Sequence, residues 1–225
     1  MNKKIFFRTF FYLLGLFILA IGIVLNTKVD LGVSPIVSVS YNIHKISGIN
    51  FANTTLIWYA IFVLIEVIIH LYLKSYKMII FDCLQIAVSI LFTRFLNLFD
   101  ILIPVLSKTD DFLSSVACRI FILAIAIILT GIGAAVSLNM KIVPNPGDGI
   151  VQALSDLTRR SVGLMKNCLD MSCVIISCLL GVGILHKLEG IGIGTILAML
   201  GVGRVVAVFN CTCKEKMDII SGIQT

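Results

Sequence analysis

The sequence predicts an all-α fold: a polytopic helical membrane protein with about six transmembrane helices in two inverted three-helix repeats. Three observations lead there. The chain of 225 residues is 59% hydrophobic and 13% charged, with a mean hydropathy of +1.07. Soluble domains carry roughly 25% charged residues, so a soluble fold of this size would lack polar surface. Six apolar runs each come near the roughly 20 residues that a bilayer needs. Two breaker-rich stretches interrupt the runs, one in each half of the chain, at corresponding places.

Lys3, Lys4 and Arg8 precede the first apolar run, residues 10–25. A charged start before an apolar core also marks signal peptides, but no small-x-small cleavage site follows near Asn26. The run therefore reads as an uncleaved first span. Residues 27–53 form the first interruption and contain Asp30-Leu31-Gly32-Val33-Ser34-Pro35. Ser34 suits an N-cap and Pro35 the first residue of a short helix over 35–46. The second span covers 54–73, Lys74-Ser75-Tyr76-Lys77 is a basic turn, and the third span covers 78–99. Residues 100–116 are mixed, with Pro104, Lys108, Asp110 and Asp111.

The fourth span, 117–138, leads into Val143-Pro144-Asn145-Pro146-Gly147-Asp148-Gly149. Two prolines, two glycines and an Asp cannot continue a helix, but they can end one, turn and start another. Asp148 falls near the start of the segment 150–157, where free N–H groups favour a carboxylate. After the polar segment 155–161, a fifth span covers 168–185 and a sixth 190–209.

The halves resemble each other. Asn26-x-Lys28 matches Asn139-x-Lys141, and Ile86…Arg94…Phe99 lines up with Ile196…Arg204…Phe209, each 110 residues apart. The first repeat then covers about 10–99 and the second about 117–210. Three spans is an odd number, so the second copy enters the membrane in the opposite sense, and one break faces outward and the other inward. With the N-terminus inside, eleven lysines and arginines fall on inner segments and flanks and six on outer ones. That asymmetry predicts both termini in the cytoplasm.

The net charge of +6 is spread over segment ends. It suits anionic lipid headgroups and gives no nucleic-acid signal. The seven cysteines include no C-x-x-C pair. Cys211-Thr212-Cys213 is too close for usual zinc spacing, so neither a metal site nor a disulfide framework is expected. The odd cysteine count fits a reducing side for the C-terminus.

Leu31-Gly32-Val33-Ser34-Pro35, the following Gly48, and Leu84-Gln85-Ile86-Ala87-Val88-Ser89 resemble the YczE/YyaS/YitT-type group of bacterial integral membrane proteins. Pro146-Gly147-Asp148-Gly149, Lys166…Asp170 and Gly190-Ile191-Gly192-Ile193-Gly194-Thr195 fit the second half of the pattern. The resemblance covers residues 10–210. It implies a polytopic protein of the bacterial inner membrane and no particular activity. Where relatives carry a charged pair before the Gly-Thr, this chain has Gly192 and Ile193.

Ionisable groups inside spans are costly and face protein or water. Glu66 and His70 lie four apart and share a helix face, as a proton-linked pair or a structural hydrogen bond. Asp82 and Gln85 lie three apart at the start of the third span, and neutral Gln85 can both donate and accept. Lys166 and Asp170 pair at the start of the fifth. Arg94 and Arg204 reach headgroups, and the glycines of the sixth span favour close helix approach. No nucleophile–base arrangement appears, and His44, His70 and His186 are scattered, so neither an enzyme nor a cofactor is expected.

The function read from the sequence is a small-solute transporter or solute-binding membrane protein. Ser34, Gln85, Asn145, Gly147, Asp148, Lys166 and Asp170 are its candidate binding residues. The starts at Ser34–Pro35 and Pro146–Asp148 are expected to face a common polar cavity. Helix starts favour an anion, whereas Asp148 argues for a cation or an amine. One alternative is a non-transporting scaffold or assembly subunit. Another is the substrate-binding subunit of an ATPase-driven transporter, since no nucleotide motif exists here. The expected partners are the lipid bilayer, a small polar solute, and a second copy or another membrane protein.

Overall fold

The computed structural model describes residues 3–108 and 114–223. Asp110 and Asp111 lie outside them. Among the described residues the chain is helical throughout its regular structure, with six helices long and apolar enough to cross a membrane. These are α1 (Lys3–Lys28), α3 (Phe51–Tyr72), α4 (Tyr76–Leu102), α5 (Val116–Asn139), α7 (Val162–Leu180, continued by a π turn over Gly181–Leu185) and α8 (Ile193–Ser221). Two shorter helices, α2 (Pro35–Ser47) and α6 (Pro146–Thr158), follow α1 and α5. At 13 residues each, they are about 20 Å long, too short to span the hydrocarbon core.

Local chemistry sets the boundaries. Pro35 and Pro146 open α2 and α6, where their missing N–H costs nothing, after extended Ser34 and Asn145. Gly48 ends α2 at φ 71°, its N–H on the His44 carbonyl. Asn50 starts α3 by accepting from the Ala52 N–H at 2.8 Å, and Ser161 starts α7 by accepting from Leu164. The second, third and fourth spans agree with the sequence reading to within three residues at each end, whereas the first begins at Lys3 rather than 10 and runs to Lys28 rather than 25.

The last two spans differ. The fifth begins at Val162 rather than 168, because the polar segment 155–161 divides between the end of α6 and the cap at Ser161. The sixth begins at Ile193 and runs on to Ser221, through Lys214 and Lys216. A helix leaving the bilayer has no need to stay apolar.

The order long, short, long, long occurs twice, in a register of 111 residues. Pro146 follows Pro35 at that distance, Asn139 follows Lys28 at the helix ends, and Ser161 follows the Asn50 cap. Backbone conformation repeats too: left-handed Asp30 and Gly48 recur as left-handed Lys141 and Arg159. This corrects the matches made on Asn26/Asn139 and Arg94/Arg204, whose spacings are off by one or two residues.

Helices α1 and α5 pack antiparallel at the centre. A Cβ on Gly15 would meet the Ser137 nitrogen at 2.6 Å, one on Gly22 the Thr130 nitrogen at 2.5 Å, and one on Gly133 the Leu19 backbone. Small residues let these backbones touch. Each helix also caps the other. Arg8 donates to the carbonyls of Met140 and Lys141, both at 2.6 Å. Arg119 donates to Val29 at 2.7 Å and Asp30 at 2.5 Å. The helix-end carbonyls that lack intrahelical donors are thus met by guanidinium groups.

Around this pair, α2 packs on α7 and α6 on α3, and α4 covers α1 as α8 covers α5. One pair breaks the correspondence. Helices α3 and α4 pack along each other, joined by Gln85 Nε2 donating to Glu66 Oε2 at 2.6 Å and by His70 Nδ1 with Asp82 Oδ2 at 2.7 Å. Helices α7 and α8 barely touch. The loop between them folds over the start of α2 instead: Val33 donates to the Gly190 carbonyl and Gly194 to that of Leu31, both at 2.8 Å. Gly32, at φ 111°, makes that approach possible, since a Cβ there would meet the Gly192 nitrogen at 2.6 Å.

Candidate functional site

Both breaks open onto one space. A cavity of about 380 Å³ lies between the starts of α2 and α6 and the walls of α1, α5, α7 and α8. Its polar lining is Ser34, Tyr59, Thr130, Asn145, Asp148, Gln152 and Lys166, with Gly147 beside them. The remaining wall is apolar, from residues such as Leu19, Ile23, Val37, Val151, Val202 and Val206. The cavity is therefore not the polar one expected from the sequence, because six helices contribute Leu, Ile, Val or Ala side chains to its wall. A few placed polar groups in an apolar wall are usual for small-molecule sites of 300–1,000 Å³.

Pro146 and Gly147 turn the chain so that Asn145 and Asp148 sit at the first turn of α6. Asn145 is buried, its amide stands against the Tyr59 hydroxyl, and its Oδ1 has no hydrogen-bond partner. A buried acceptor without a donor costs about 1–3 kcal/mol unless something else meets it. Asp148 is partly exposed to the cavity. Burial pushes its carboxyl above the usual carboxylate range, Lys166 pulls it down, and Asp170 pushes it up. Lys166 reaches into the cavity from α7 and holds Asp170, one turn on, at 3.6 Å. Asp170 is itself buried, with Oδ1 unpartnered. One ammonium therefore faces two carboxylates.

Five of the candidate residues, Ser34, Asn145, Gly147, Asp148 and Lys166, line the cavity together. Asp170 stands behind Lys166. Gln85 does not line it, because its amide is turned into the α3–α4 seam toward Glu66. The pairing of Glu66 with His70 is replaced by two bonds across that seam, Glu66 to Gln85 and His70 to Asp82, although the two share a helix face. This polar cluster lies close behind the cavity: a Cβ on Gly149 of α6 would stand 2.6 Å from Glu66 Oε2 and 2.7 Å from Gln85 Nε2. Arg94 and Arg204 are exposed on the outer faces of α4 and α8.

Sequence reasoning missed Tyr59, Gln152 and the two capping arginines. Arg119 follows Arg8 by 111 residues, so the register of the two proline breaks could have found that pair. Tyr59 carries no such signal, being one aromatic in an apolar helix. Among the described residues, no group of three or more His, Cys, Asp or Glu converges as metal ligands, and all seven cysteines are free.

No curated protein and no solved structure matches the chain. A family model does, over residues 6–211. That match takes in both breaks, both capping arginines and every residue lining the cavity, and by it the chain belongs to the family of unknown function DUF6198.

Proposed function

We propose that this protein is a bacterial inner-membrane protein that binds a small solute in the cavity between its halves and moves it across the bilayer. In this reading the two halves are inverted repeats, related by an axis between antiparallel α1 and α5, as in many secondary transporters. Kinship with the YczE/YyaS/YitT-type group belongs to the same reading. The observation that carries it is the meeting of both helix breaks, at Ser34 and at Asn145–Asp148, on one cavity. Broken backbone at membrane depth is tolerated where it meets protein or a cavity. The difference between the packed α3–α4 pair and the separated α7–α8 pair supplies two states that the halves could exchange.

The test is purified protein screened by thermal shift against a metabolite panel, followed by uptake into proteoliposomes. A ligand at 100 times its Kd adds about 2.7 kcal/mol of stability. Asp148→Asn is expected to lose ligand response and uptake while its melting temperature stays near that of the parent. Unfolding of Asp148→Asn, with unaltered ligand response in what remains folded, would reduce Asp148 to a helix cap.

A second reading, a scaffold or the membrane subunit of a larger complex, is favoured by the broad exposed apolar faces of α7 and α8, including Ile175, Leu179, Ile196 and Leu200. Co-purification of a stable partner, with no ligand response and no uptake, would establish it in place of transport.

A further inference from the structure

We propose that the cavity takes an organic monocation with at least one N–H donor on an apolar body, such as a primary amine. This rests on the cavity being a solute site. Three observations set the chemistry. The first is charge. Asp148 lines the cavity and Asp170 stands behind it, against the single ammonium of Lys166. That ammonium already sits 3.6 Å from Asp170, outside the 2.7–2.9 Å of a strong charge-assisted bond. The balance in this low-dielectric space is an excess of carboxylate, which favours a cation and opposes an anion.

The second observation is the supply of acceptors. Asn145 is 94% buried (6% exposed) and its Oδ1 has no donor. Asp148, Ser34 and the Tyr59 hydroxyl add acceptor oxygens on the same lining. An N–H donor meets Asn145 Oδ1 and the carboxylate together. A bare metal ion fits poorly, since no cluster of ligands surrounds the space among the described residues. The third is the wall. Branched aliphatic side chains from α1, α2, α5, α6, α7 and α8 make up most of the wall and reward an apolar body by burial. The cavity reaches Val162 and Lys166 of α7 and Val202 and Gly203 of α8, the two helices that stand apart.

The test uses the full chain in lipid nanodiscs and four probes on one skeleton: 2-phenylethylamine, trimethyl(2-phenylethyl)ammonium, 2-phenylethanol and 3-phenylpropionate. Thermal shift is one readout. The other is fluorescence of Trp58, the only tryptophan, whose Nε1 donates to the carbonyl of cavity residue Ile36 at 3.1 Å. The amine is expected to bind at least tenfold tighter than the alcohol and the carboxylate, and tighter than the quaternary ammonium, which has no N–H. Asp148→Asn is expected to weaken the amine at least tenfold, whereas the exposed Glu215→Gln leaves it unchanged. Should Asp148→Asn fail to fold, Gly203→Phe serves, because a Cβ at Gly203 meets nothing within 4 Å. It is expected to fold and to lose the amine response. Preference for 3-phenylpropionate or 2-phenylethanol would overturn the cation assignment and leave the cavity a solute site. Silence of all four probes overturns the assignment, and silence of the whole metabolite panel as well removes the underlying reading.

Discussion

Glu66 and Gln85 show how one residue pair holds a seam and neighbours a site. The Glu66 carboxylate, 1% exposed, receives its one hydrogen bond from Gln85 Nε2. Gln85→Leu therefore leaves a buried acceptor with no donor, and stability is expected to fall by about 1–3 kcal/mol. Glu66→Gln keeps an amide partner and is expected to stay close to the parent. Reversible unfolding in mixed micelles measures both, and equal loss in the two variants would contradict the bond. Spacing along α3 could bring Glu66 and His70 to one face, but not decide which side chains of α4 they would meet. The breaks were legible for the opposite reason. Proline and glycine act through the backbone itself, so Ser34, Asn145, Gly147 and Asp148 could be assigned without knowing any neighbour.

At the scale of elements, α1 and α5 form the frame, and the two arginine caps tie their ends. Each guanidinium donates to two carbonyls at the partner helix's C-terminus. Arg8→Ala and Arg119→Ala are expected to destabilise by similar amounts, about 1.5–3 kcal/mol each, as for hydrogen bonds from a charged donor. Lysine at either place restores charge but not the fork, so recovery should be partial. Unfolding of the four single variants in one micelle checks both points, and a large cost at one arginine with none at the other would break the equivalence. Gly133→Leu should be worse than either alanine variant, because its side chain would enter the Leu19 backbone. The length of α8 was hidden in the sequence: Lys214, Glu215 and Lys216 end the apolar run, yet the helix continues past them to Ser221.

For the whole molecule, the arginine caps sort the loops into two sets before any membrane is considered. Arg8 meets Lys141 at one end of the α1–α5 pair, and Arg119 meets Asp30 at the other. The first end collects the N-terminal residues, the turn at Lys74 and the 140–145 loop. The second collects the 29–34 loop, residues 103–108 and the 186–192 loop. At the second end Lys28 pairs with Asp100 at 2.8 Å and Lys187 with Glu189 at 2.5 Å, whereas among the described residues no ion pair joins Lys74, Lys141, Arg159 or Arg160. The excess of lysine and arginine therefore lies at the first end, and we propose from the positive-inside rule that this end faces the cytoplasm. Single cysteines at Lys74 and at Ser107, in a cysteine-free background, are expected to divide accordingly. With an impermeant maleimide on intact cells or right-side-out vesicles, position 107 should label at once and position 74 only after permeabilisation. The reverse pattern would invert the molecule in the membrane while leaving its two-ended arrangement intact. Labelling of both positions from one side would break that arrangement itself, and with it the antiparallel frame on which the inverted-repeat reading depends.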